Sequence, residues 1–118
     1  MQYALLIYER PEAYADLTEE QRRAISDEYL LLQQDPRIKG GAKLKSKDLA
    51  TTVRLQAGKR LITDGPFADT KEVFGGYYVL EADSLDGAIE IAQRIPAARL
   101  GGSVEIRPVL QAMARGLI

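Results

Sequence analysis

The sequence predicts an α+β protein with the ferredoxin-like, split βαβ order of elements and an extra hairpin strand. Three observations carry this expectation. Two stretches show helical periodicity behind helix-start signals, and the other apolar runs have strand composition. Their order is strand, helix, hairpin group of strands, strand, helix, strand. With 118 residues, no internal repeat and no linker, residues 1–118 read as a single domain.

The first strand is QYALLIYE, residues 2–9. It is apolar on both alternating sets, Tyr3, Leu5, Ile7 and Ala4, Leu6, Tyr8, which marks a strand covered on both sides. Pro11 ends it. Thr18 and Gln21 have capping-box spacing, with Glu19 and Glu20 in the first turn. Ile25, Tyr29 and Leu32 follow on one helical face, widened by Leu30 and Leu31, and Pro36 stops the helix near Gln34.

Residues 39–48, KGGAKLKSKD, read as a strand with Lys43, Lys45 and Lys47 on one side and Ala42, Leu44 and Ser46 on the other. A lysine row is either an anion-binding patch or, more commonly, a solvated edge that resists aggregation. TTVRLQ and RLIT flank the turn residues AGK as a hairpin, with Val53 and Leu55 on one face and Thr52, Arg54 and Gln56 on the other. GYYVLEA, residues 76–82, is the next strand. Ser84 or Asp83 then caps a helix whose stripe is Leu85, Ala88, Ile89, Ala92 and Ile95, terminated by Pro96. SVEIRPV, residues 103–109, closes the order, with Val104 and Ile106 facing one way. The tail LQAMARGLI has apolar anchors but no cap, and either docks on a neighbour or frays.

Two helices cover one face of such a sheet. The first strand and GYYVLEA nevertheless carry large residues on both faces, so a second copy of the chain is expected against the other face, as a twofold homodimer.

Composition removes several classes of function. A net charge of −1 and a pI near 5.5 do not fit a nucleic-acid binder. No apolar stretch reaches the roughly 18 residues that cross a bilayer. The N-terminus has no basic lead or cleavage site, so a cytoplasmic protein without a membrane partner is expected. There is no cysteine and no histidine, so acid–base chemistry falls to Asp, Glu, Lys or Tyr with a shifted pKa. Metal binding would be confined to hard cations, yet there is no EF-hand loop or carboxylate cluster. Neither Gly40-Gly41 nor Gly101-Gly102 sits in a phosphate-binding motif, and no cofactor is implied.

Residues 64–76, DGPFADTKEVFGG, exceed the two to five residues that a plain strand connection needs. Gly65 tolerates positive φ, Pro66 fixes its own, Phe67 suits a plug into the core, and Gly75 and Gly76 allow close backbone approach or a bulge. TDGPFADTKEVFGGYYVLEADSLDGAIEIAQRIP, followed by GGSVEIRPV, closely resembles the DGPF subgroup of the YCII-related family from Thr63 to Val109. YALLIY and the GGAKL…TTVRL region fit as well, so the resemblance spans nearly the whole chain. It implies a dimeric α/β-barrel of ferredoxin-like subunits and a cleft at the DGPF loop, proposed as an active site in the family. It also implies a frequent genomic setting beside sigma factors of the extracytoplasmic-function type. Relatives thought to perform lyase chemistry use a His–Asp pair. This sequence has no histidine, so only Asp64 carries over.

Asp64 is therefore the candidate acid–base residue: partial desolvation beside Pro66 and Phe67 would raise its pKa, whereas a turn-capping role would lower it. Arg54 either orients a ligand carboxylate or phosphate or pairs with a neighbour such as Glu105. Gly65, Pro66 and Phe67 belong to the loop, and Lys71 and Glu72 reach its cleft or remain solvated. Tyr8, with Tyr77 and Tyr78, offers a phenol to a ligand or packs in the core. The expectation is a protein that binds a small anionic or polar metabolite. It acts either as a lyase, isomerase or hydrolase, or as a non-catalytic sensing or regulatory dimer.

Overall fold

The computed structural model describes residues 1–68 and 70–110. Strands β1 (Gln2–Glu9), β2 (Ile38–Lys43), β5 (Val73–Glu81) and β6 (Ser103–Pro108) form an antiparallel sheet in the order β2-β5-β1-β6. Helices α1 (Glu12–Ala15), α2 (Glu19–Leu32) and α3 (Leu85–Ala92) complete the ferredoxin-like α+β arrangement. The addition is a whole hairpin, β3 (Thr51–Gln56) and β4 (Lys59–Asp64), which forms its own two-stranded sheet.

The core lies between the helices and one sheet face. Tyr3, Leu5 and Ile7 of β1 and Tyr78 and Leu80 of β5 are buried there with Leu32, Ala88, Ile91, Ala92 and Ile95. Val104 and Ile106 pack against the same cluster. The other set on β1, Ala4, Leu6 and Tyr8, stays partly exposed, as do Tyr77 and Val79 on β5. The described residues thus place no helix over the second sheet face.

Local chemistry explains the helix ends. Thr18 Oγ1 accepts from the Gln21 amide at 3.1 Å, while the Gln21 side chain accepts from the Thr18 amide at 2.9 Å, completing the capping box. Ser84, rather than Asp83, caps α3 by accepting from the Gly87 amide. Two stripes are narrower than their sequence reading. Leu30 and Leu31 are exposed, because the sheet meets only the 25/29/32 line of α2. Leu85 and Ile89 are likewise exposed, because the buried line of α3 runs through Ala88, Ile91 and Ala92 and continues to Ile95 beyond the helix.

The lysine row is a further correction. β2 ends at Lys43, and residues Lys47–Leu49 form a 3₁₀ turn in which Ser46 Oγ accepts from the Asp48 amide at 3.2 Å. Lysines at every second position imitated strand alternation, whereas the Ser-Lys-Asp sequence built a local turn. β5 starts at Val73, three residues before the expected start, because Gly75 and Gly76 lie inside the strand and let it pass close to β2. A Cβ at Gly76 would stand 2.6 Å from the Ala42 carbonyl oxygen. Apart from Leu110, the tail reading falls outside the described residues.

Candidate functional site: the cleft beneath the loop

The loop begins at a pinned corner. Gly65 has φ +100°, a conformation that suits glycine, although a Cβ there would meet nothing within 4 Å. Its amide donates to the Ala50 carbonyl at 2.7 Å, and its own carbonyl accepts from Thr52 Oγ1 at 2.8 Å. The Asp-Gly-Pro corner is thereby tied on both sides to the start of β3.

From that corner the chain roofs a cavity of about 680 Å³. Pro66, Phe67, Ala68, Thr70 and Glu72 form one wall, and residues 44–47 with Leu49 and Ala50 form the opposite one. Tyr8, Val73 and Phe74 line it from the sheet. Tyr8 and Phe74 are cross-strand partners whose ring centroids lie 5.6 Å apart at a 58° tilt. Both belong to the helix-free face, so the cleft opens onto the surface that the described residues leave bare.

Its polar residues are Tyr8, Lys45, Ser46, Lys47, Thr70 and Glu72. Glu72 accepts from Ser103 Oγ at 2.8 Å, and Thr70 Oγ1 donates to the Glu72 carbonyl. The Tyr8 hydroxyl lies 3.4 Å from Glu105, whose other carboxylate oxygen accepts from Arg107 at 2.6 Å. Glu105 is thus engaged by Arg107, and Arg54 instead places its guanidinium 4.9 Å from the Phe67 ring centroid. Phe67 itself is 75% exposed and is no plug into the core: the corner at Gly65 turns it outward over the cleft.

Of the residues named from sequence, Tyr8, Pro66, Phe67 and Glu72 line the cavity. Gly65 sets its corner and Arg54 joins through Phe67. Lys71 is exposed and contributes no wall. Asp64 is exposed at the end of β4, opposite Thr51, outside the cavity lining. By strand register, Asp64 shares a hairpin face with Val53 and Ile62, whereas Arg54 shares the other with Leu61. Within one chain, the candidate proton carrier and the candidate anion anchor therefore point to opposite sides.

Sequence reasoning missed Leu44, Lys45, Leu49 and Phe74 as cleft residues. The available signal was the Ser46-Lys47-Asp48 turn, which folds residues 44–50 against the loop. Among the described residues, no group of three or more carboxylates gathers as a metal site. No helix among them is long and apolar enough to cross a membrane.

Fold and cleft together define an α+β protein with a loop-roofed pocket on an open sheet face. Residues 1–112 match the YCII-related domain, and the chain belongs to that family. An uncharacterised protein of Rhizobium meliloti (strain 1021) is 35% identical over 116 residues, covering 92% of each chain. The uncharacterised protein YjpA of Bacillus subtilis (strain 168) is 52% identical over 50 residues, which cover 42% of this chain and 55% of YjpA.

Proposed function

We propose that this protein binds a small metabolite with an apolar body and an anionic or polar end in the cleft beneath the 66–72 loop. The observation that carries this reading is the cleft itself: about 680 Å³ of mainly apolar space, roofed by the DGPF-type loop. That volume lies within the range that encloses small ligands, roughly 300–1,000 Å³. Lys45 at the wall and Arg54 beside Phe67 supply the positive charge for an anionic end.

The same reading includes a homodimer. Phe74 and Tyr77 on the helix-free sheet face and Val53, Leu55 and Ile62 on the hairpin are apolar and exposed among the described residues, and a second copy would cover both groups. A non-catalytic sensing or regulatory role is favoured, because Asp64 lies outside the cavity lining. The enzymatic reading, a lyase, isomerase or hydrolase with Asp64 as acid or base, has one supporting observation. Asp64 ends the exposed apolar face of the hairpin, so in a dimer it would stand beside the partner.

The test is ligand capture by native mass spectrometry with wild type, Phe67→Ala and Asp64→Asn. The binding reading expects the captured species to be lost with Phe67→Ala and retained with Asp64→Asn. If the identified ligand is turned over by wild type but not by Asp64→Asn, the enzymatic reading replaces the sensing one.

A further inference from the structure

The opposite face of the sheet carries a second groove of about 700 Å³, between α2 and the glycine-rich edge formed by β2 and β5. Its floor is bare because two helix-facing positions are glycines. A Cβ at Gly41 would lie 2.3 Å from the Tyr77 carbonyl oxygen, and one at Gly76 would lie 2.6 Å from that of Ala42. At Gly75 a Cβ would meet the Glu9 carboxyl group at 2.8 Å, so this glycine is the seat on which the carboxylate rests.

Glu9 lines the groove, is half-buried, and has no hydrogen-bond or ion-pair partner among the described residues. A carboxylate withdrawn from water is normally paired. The lysines of the groove, Lys39 and Lys43, are exposed and make no ion pair with it. Tyr29 and Tyr78 present phenol rings to the same space, and the Gln33 amide holds the Tyr78 hydroxyl at 3.0 Å. Burial, with the nearby Glu9 charge as a lesser cause, raises the Tyr29 pKa and keeps the ring a neutral phenol. A carboxylate beside aromatic faces is the chemistry that recognises an organic cation.

We propose that this groove is a second small-molecule site, separate from the loop cleft, that takes a small organic amine. Its ammonium pairs with Glu9, and its apolar body lies along Tyr29, Ile7 and the glycine floor.

The test is a ¹H–¹⁵N NMR titration of the full chain with benzylamine, and in parallel with benzoate. Benzylamine is expected to give saturable shifts at the Gly41, Gly75 and Gly76 amides, whereas benzoate leaves them unmoved. Glu9→Gln should weaken benzylamine by at least about tenfold, the loss expected when one partner of a charge pair is removed. Ser26→Leu, on the outer wall of α2, should block the groove whatever the behaviour of Glu9→Gln. Phe67→Ala should leave the titration unchanged, which separates this site from the loop cleft. Absence of saturable shifts with benzylamine, equal binding of benzoate, or unaltered binding by either variant overturns the proposal.

Discussion

The guanidinium of Arg54 sits 4.9 Å from the centroid of the Phe67 ring, joining the polar face of the hairpin to the loop that roofs the cleft. At an exposed site such a contact contributes about 0.5–1 kcal/mol. Arg54→Ala is therefore expected to lower global stability by less than about 1 kcal/mol while loosening the loop. Denaturant melts check the first expectation, and amide exchange at Phe67 and Ala68 checks the second. A large global loss with an unchanged loop would show that the contact is not what holds the roof.

Burial separates two kinds of apolar residue. Leu32 and Ile91 are 2% and 0% exposed, and truncating either to alanine should destabilise by about 2–5 kcal/mol. Leu55 is 77% exposed in one chain, so Leu55→Ala should leave the melting of a dilute monomer nearly unchanged. The same substitution should weaken self-association, read by sedimentation at several concentrations.

Glycine is required at some positions by space. A Cβ at Gly102 would stand 2.1 Å from the Tyr8 carbonyl oxygen, and backbone cannot yield as a side-chain end can. Gly102→Ala should lower the melting temperature sharply or prevent folding, whereas Gly40→Ala, with nothing within 4 Å, should be tolerated. Thermal melts of the two variants make the comparison.

Titration should erode stability at both ends of the pH scale. Hydrogen bonds from Arg37 hold the Asp35 carboxyl down at about 2, below its usual 3.8. The folded pKa is depressed, so the contribution is fully present above about pH 4 and is lost as the pH falls toward 2. Burial raises the pKa of Tyr29, Tyr14 and Tyr78 above the usual 10.0. Their contribution is present below pH 10 and falls as the pH rises beyond it. Denaturant midpoints across pH should show both limbs, with Asp35→Asn flattening the acid one and Tyr29→Phe reducing the alkaline one.

The sheet, both long helices and their caps were legible because periodicity and capping act within a few residues of chain. The two-sided apolar character of β1 also foretold the open face. What escaped was decided between distant segments. Lys43, Lys45 and Lys47 mimic a strand, and only the Ser46 hydroxyl turning back to Asp48 breaks it. The cleft was half legible: the loop residues Pro66, Phe67 and Glu72 were, but Leu44, Leu49 and Phe74 were not, since tertiary folding alone brings them opposite the loop. The separation of Asp64 from Arg54 follows from the Thr51–Asp64 pairing register, which the hairpin turn at Ala57 and Gly58 sets.

The most direct test of the account is native mass spectrometry of the purified chain at micromolar concentration. A species at twice the 13.1 kDa of one chain is expected, with a small molecule retained that Phe67→Ala releases. A bare monomer at 13.1 kDa would contradict both the dimer and the ligand, leaving the helix-free sheet face without a second copy.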